Sequence, residues 1–242
     1  RKAVYYGLGS DGTVGANKNT VKIIGENTPL HAQGYFVYDS KKAGAVTVSH
    51  LRFSPEPIDS SYLIDRADFV ACHQFNFLFR RDVLEVADAG ATFLLNSPYS
   101  ADEVWQHLPV ETQQQIINKG LDFYVIDAAK IARENELRGR INTVMQTCFF
   151  TLSELLPMEE ALEYMRDAVK KTYGKRGPLV VERNLNAINA ARDGLHRVQV
   201  PTTTSGSVHQ MDPVPNHAPD FVQRVTGMMI AGKGDLLPVS AL

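Results

Sequence analysis

The chain has 242 residues, is 44% hydrophobic and 21% charged, and carries a formal net charge of −2. This is the balance of a folded globular protein, and it supplies no global positive field for nucleic acid. No run of eighteen apolar residues is present to span a membrane, and nothing near Arg1 reads as a secretory signal, so the expectation is a cytoplasmic protein with neither membrane nor nucleic acid as partner. The missing initiator Met suggests a fragment. Cys72 and Cys148 each sit in an apolar run without CxxC spacing, and they read as buried thiols rather than metal or cluster ligands.

In chain order, Ala3–Leu8 is the first strand candidate and ends in glycines. Thr13–Glu26 follows with Val14, Val21 and Ile24 spaced along one helix face. Gly34–Tyr38, Ala45–Leu51, Phe69–Cys72, Ala91–Leu95 and Leu121–Ile126 read as five further strands. Phe79–Ala87, Ala101–His107 and Glu111–Asn118 have helical spacing between them. The second half turns helical, with candidates at Ile141–Leu156, Glu159–Tyr173 and Leu179–Val198. Pro157 is tolerated at a helix start, and Gly174 and Gly177 mark a stop. After Val200 the segment PTTTSGSVHQMDPVPNHAPD lacks large apolar residues and reads as an extended linker, with one short helix at Phe221–Ile230. The predicted architecture is α/β: a doubly wound three-layer α/β/α sheet with a helical second half, over residues 1–199, followed by an interdomain linker over 200–242.

The strongest local signal is Gly7-Leu-Gly9-Ser-Asp-Gly12, a GxGxxG match placed between a predicted strand and a predicted helix. Glycines allow positive φ and close approach of phosphate oxygens, and the first N–H groups of the following helix lack internal partners. Lys18 and Lys22 lie four apart on one helix face and could add point charges, although Lys22 reads equally well as surface. The loop is not a Walker A sequence, because no Lys-Ser or Lys-Thr follows Gly15. Asp11 would repel a phosphate unless it caps helix N–H groups, and capping is the preferred role.

A dinucleotide reading needs an acidic residue at the end of the second strand, and Asp39 stands there. It lies 27 residues beyond Gly12 (39 − 12), against roughly 20 expected. Ser40, Lys41 and Lys42 beside it suit a phosphorylated ribose. NADPH and coenzyme A both carry one, so the residues favour a phospho-adenosine ligand without choosing between them; a glycine turn without ligand is the plain alternative.

The stretches YYGLGSDGTVGANKNTVKIIGENT and AQGYFVYDSKKAGAVTVSHLRF, with ADFVACHQFNFL, INTVMQTCFFTLSELLP, AVKKTYGKRG and MIAGKGDLLPVSAL, resemble the γ-type region of pyruvate:ferredoxin/flavodoxin oxidoreductases. The resemblance runs over essentially the whole chain. It implies an internal segment of an enzyme that converts pyruvate oxidatively to acetyl-CoA, with electrons leaving to ferredoxin or flavodoxin. It also implies a homodimeric parent in which other domains of the same polypeptide hold thiamine diphosphate and [4Fe–4S] clusters, while this segment contributes to the coenzyme A site. Carried over, the implied contacts are Gly9, Asp11, Gly12, Thr13, Gly15, Asn17 and Lys18 in the loop and helix, then Ser40 and Lys41, and Asn142, which a helix cap would explain as well. No catalytic residue and no metal ligand is implied, and the isolated segment is expected to be inactive.

No thiamine motif and no cluster-binding cysteine motif is present. His73 is placed at the carboxyl edge of the sheet as a structural hydrogen bonder. Phe75-Asn-Phe77-Leu-Phe79 reads as core packing in preference to a docking edge. An NADP-binding dehydrogenase and a purely architectural domain are the alternatives.

Overall fold

The computed structural model describes residues 1–38, 45–137 and 139–241. The chain begins with strand β1 (Lys2–Leu8), helix α1 (Thr13–Asn27), and strands β2 (His31–Tyr38), β3 (Val46–Ser54) and β4 (Ala67–Cys72). It continues through β5 (Ala87–Asn96), α2 (Val110–Lys119), β6 (Asp122–Ile126) and α3 (Ala128–Glu134). Helices α4 (Asn142–Ser153), α5 (Met158–Tyr173) and α6 (Pro178–Gly194) follow, then the short strand β7 (His196–Arg197). A π-helical turn at Val222–Thr226 leads into the last short helix, α7 (Gly227–Ile230).

One seven-stranded sheet runs in the order β2-β3-β1-β4-β5-β6-β7. Strands β1, β4, β5 and β6 are parallel, β3 is antiparallel to both its neighbours, and β7 is antiparallel to β6. The parallel strands are apolar on both faces because side chains alternate across the sheet. Thus Ala3, Tyr5, Phe69, Ala71 and Leu94 join one core, and Val4, Val70, Cys72, Phe93 and Leu95 join the other. Helices α1, α3, α4, α5 and α6 cover the first face. Helix α2 and two 3₁₀ turns, Phe75–Phe79 and Val104–His107, cover the second. The expected three-layer arrangement is therefore present.

Helix α4 is buried nearly all round, enclosed by the sheet and the other helices. Its Phe149 is 1% exposed and meets the rings of Phe69, Tyr5 and Phe53 at 5.1, 5.6 and 6.1 Å. Burying one such side chain stabilises by about 1.5–3 kcal/mol, so this contact holds α4 against the sheet. That start faces the glycine loop.

All six expected strands form. The helical spacing at 79–87 and 101–107 yields only 3₁₀ turns and bends, and the last long helix stops at Gly194, with β7 beyond it. Phe75 and Phe77 pack against the second core and Leu78 is fully buried, so the aromatic run is core. Both cysteines are free and buried.

Residues 198–219 contain neither helix nor strand; Val198 and Val200 pack on the second core, and bonds fasten Ser205–Met211 to that face. Gln113 is fully buried; its Nε2 donates to the carbonyls of Trp105, Leu108 and Ser205 at 2.8, 3.1 and 2.9 Å, and its Oε1 accepts from Ser205 N–H at 2.7 Å. Val110 N–H donates to Val208 O at 2.8 Å and Met211 N–H to Phe79 O at 2.7 Å. Gln210 reaches Leu78 O at 3.0 Å.

Candidate functional site

The glycine loop leaves the carboxyl end of β1, where ligands collect in open α/β sheets. Its glycines have separate reasons. A Cβ at Gly7 would collide with Thr13 Oγ1. Gly12 holds φ +86° at the start of α1, and a Cβ there would lie 2.8 Å from Asn142 Cγ. Gly15, one turn later, faces open space.

A cavity of about 360 Å³ opens beside the loop. Gly9, Ser10, Gly12 and Gly15 form one wall; Arg140, Asn142, Thr143 and Gln146 form the second; Met165, Val169 and Tyr173 of α5 close it. The N-termini of α1 and α4 both meet it. Neither N-cap residue bonds its helix through a side chain and neither first turn holds an acidic residue, but Asp11 takes the Thr13 N–H of α1, which leaves the next first-turn N–H groups of α1 and those of α4 for an anion. Gln146 ties the walls together, donating to Thr20 Oγ1 at 2.9 Å and Asn19 Oδ1 at 3.0 Å. Arg140 and Tyr173 also line a second cavity of about 360 Å³, with Arg176, Arg183 and Asn184. There Arg176 stacks over the Tyr173 ring at 5.6 Å, while Arg183 pairs with Glu136.

Of the residues singled out in the sequence, Gly9, Gly12, Gly15 and Asn142 line the first cavity. Asn142 is the first residue of α4, directly after the N-cap residue Ile141. Asp11, Thr13 and Asn17 are buried behind the wall. Asp11 Oδ2 accepts from Leu8 N–H at 2.8 Å and Oδ1 from Thr13 N–H at 2.9 Å, so its charge is spent on holding the loop. Lys18 is exposed on α1, its Nζ 5.4 Å from the Phe36 ring on the β2 side. Lys22 pairs with Glu26 across one helical turn at 3.7 Å, a solvated surface contact. Asp39, Ser40, Lys41 and Lys42 fall outside the described residues.

Sequence reasoning missed Arg140, Thr143, Gln146 and Tyr173. Their only local signal is that they flank two helix boundaries. Among the described residues no group of three or more His, Cys, Asp or Glu side chains assembles to hold a metal, and no helix is long and apolar enough to cross a membrane.

Solved structures share the fold of this α/β domain. The PORC subunit of Thermotoga maritima pyruvate oxidoreductase superposes with a TM-score of 0.63 at 17% identity, over 82% of this chain and 98% of that one. The 2-oxoglutarate:ferredoxin oxidoreductase of Magnetococcus marinus, solved with 2-oxoglutarate, coenzyme A and succinyl-CoA bound, gives 0.57 at 16% identity over 87% of this chain and 32% of that one.

The chain belongs to the pyruvate ferredoxin/flavodoxin oxidoreductase family, whose model matches residues 2–194. A second model, EKR, described as a domain of unknown function, matches residues 208–242. A putative pyruvate-flavodoxin oxidoreductase of Synechocystis is 55% identical over all of this chain, which spans 20% of that relative's length.

Proposed function

We propose that this chain is the part of a pyruvate:ferredoxin or pyruvate:flavodoxin oxidoreductase that holds coenzyme A while other parts of the polypeptide carry out the chemistry. One observation carries the reading: the N-terminus of α4, and that of α1 beyond the Thr13 N–H taken by Asp11, converge on one cavity. The backbone at Gly15 leaves room for phosphate oxygens to approach. Arg140 and Arg176 extend positive charge into the second cavity, suiting a ligand with two separated phosphate groups. Each cavity lies in the size range of ligand sites. When bound, coenzyme A supplies the thiol that receives the acetyl group. This chain binds and orients the carrier, Asp11 and Thr13 shape the loop, and Ser40 and Lys41 are assigned to the ribose phosphate from the sequence.

The complete protein is proposed to oxidise pyruvate to acetyl-CoA in the cytoplasm as a homodimer. Thiamine diphosphate and [4Fe–4S] clusters sit in its other domains, and ferredoxin or flavodoxin accepts the electrons. The domain itself is taken as residues 1–199, with 200–242 as an interdomain strap.

Calorimetric titration of the complete protein with coenzyme A, 3′-dephospho-coenzyme A and NADPH tests the assignment. Coenzyme A should bind tightest, with Arg140→Ala weakening it by about 10-fold, the worth of one charge-assisted hydrogen bond. Preferential binding of NADPH would favour a nicotinamide dinucleotide site. No change in Arg140→Ala would remove the cavity from the coenzyme A path.

A further inference from the structure

Behind the cavity wall, three side chains from separate segments share protons in a forced order. Thr13 Oγ1 lies 2.5 Å from Asp11 Oδ1 and 2.6 Å from His73 Nδ1. A hydroxyl has one proton, and a carboxylate only accepts. Thr13 therefore donates to Asp11, and the imidazole Nδ1 must carry a hydrogen and donate to Thr13. The opposite tautomer would set the Nδ1 lone pair and Asp11 Oδ1 in competition for one hydroxyl proton.

The ring is held in place for this. His73 is 2% exposed, its backbone N–H donates to Tyr6 O at 2.9 Å, and its backbone carbonyl accepts from Asn96 Nδ2 at 2.9 Å. Tyr5 packs against the ring edge-on, with centroids 6.1 Å apart. Nε2 is buried and has no partner among the described residues, as befits a ring whose single hydrogen is on Nδ1. Burial lowers the basicity of this imidazole and opposes a second proton. An unmatched acceptor is costly to bury, so Nδ1 is where this residue contributes.

The bond it makes reaches the loop through two further links. Thr13 fills the space over Gly7 that a Cβ would need. Asp11, held by Thr13, takes the Leu8 and Thr13 N–H groups and the Gln74 amide at 3.3 Å. Leu8 and Thr13 bracket Gly9, Ser10 and Gly12, which line the cavity.

We propose that His73, as the Nδ1–H tautomer, is a positioning residue that sets the shape of the glycine loop through Thr13 and Asp11, and thereby the grip on the anionic ligand. This rests on the coenzyme A reading of the cavity. The test compares His73→Asn, which keeps a donor near the Nδ1 position, with His73→Phe and Thr13→Val in the complete protein. Hydrogen exchange of the peptide covering residues 8–13, without ligand, reads the loop; titration with coenzyme A, and KM against kcat, read the grip.

In His73→Phe and Thr13→Val the loop should exchange about 10-fold faster or more, with Kd and KM for coenzyme A raised by a similar factor. The kcat at saturation should move far less, and His73→Asn should restore most of both losses. Unchanged loop exchange in both disruptive variants overturns the proposal, as does equal loss in the Asn and Phe variants. So does a loosened loop with unchanged coenzyme A affinity when Arg140→Ala does weaken binding. If Arg140→Ala leaves the affinity unchanged while the loop loosens and His73→Asn restores it, the cavity assignment fails and the His73 clamp stands.

Discussion

At the scale of single residues, the glycine loop shows what a motif encodes and what it omits. The GxGxxG match made three glycines look alike, but one accommodates the Thr13 side chain, one lines the cavity, and one combines positive φ with the approach of Asn142. That last contact joins residues 130 positions apart (142 − 12), so no local pattern could carry it. Asp11 as a holder of backbone N–H groups was legible, because it stands just before a helix start. Buried histidines give the residue scale its pH dependence. Burial, with help from Arg52, lowers the His50 pKa to about 4, and its Nδ1 accepts from Ile64 N–H at 3.2 Å. His73 shifts in the same direction, through burial. Between about pH 6.5 and pH 4 the unfolded chain thus binds more protons than the folded one, so stability is complete above that window and falls as pH drops through it. Thermal unfolding should show Tm declining from pH 7 to pH 5, with a shallower decline in His50→Asn.

Among the elements, strands were the most legible, because apolar runs in β1, β4, β5 and β6 serve two cores at once. Helix α3 went unread, since it starts two residues after β6 and is only seven residues long. Its signal is Asp127, whose side chain caps Lys130 N–H at 2.8 Å. Between 79 and 87 the spacing was helical but the chain is pulled into turns, with Leu78, Val83 and Leu84 all buried in the second core. The composition of the segment after Val200 correctly indicated an absence of helix and strand up to residue 219, but not the bonds that bind it to α2. Gln113 supplies two of them, both to Ser205, from a fully buried position. Gln113→Leu keeps the volume and removes every partner, leaving buried carbonyls unmatched. Its expected cost is about 2–3 kcal/mol in denaturant unfolding, together with faster proteolysis near Ser205.

For the molecule as a whole, the sheet separates two duties. The cavity belongs to the side built by α1, α4 and α5, and the segment around Ser205–Met211 is fastened to α2 and the 3₁₀ turns on the other side. Variants on the two sides share no hydrogen-bond partner. Arg140→Ala and Gln113→Leu combined should therefore change unfolding free energy by the sum of their separate effects, within about 0.5 kcal/mol in a double-mutant cycle.

The placement of Gln113 has a consequence for how such a protein can diverge. Because the onward chain is buttoned to the back of the sheet, its route beyond Met211 can lengthen, shorten or turn without disturbing the glycine loop in front. Changes in the chain beyond Met211 are then decoupled from the geometry of the loop.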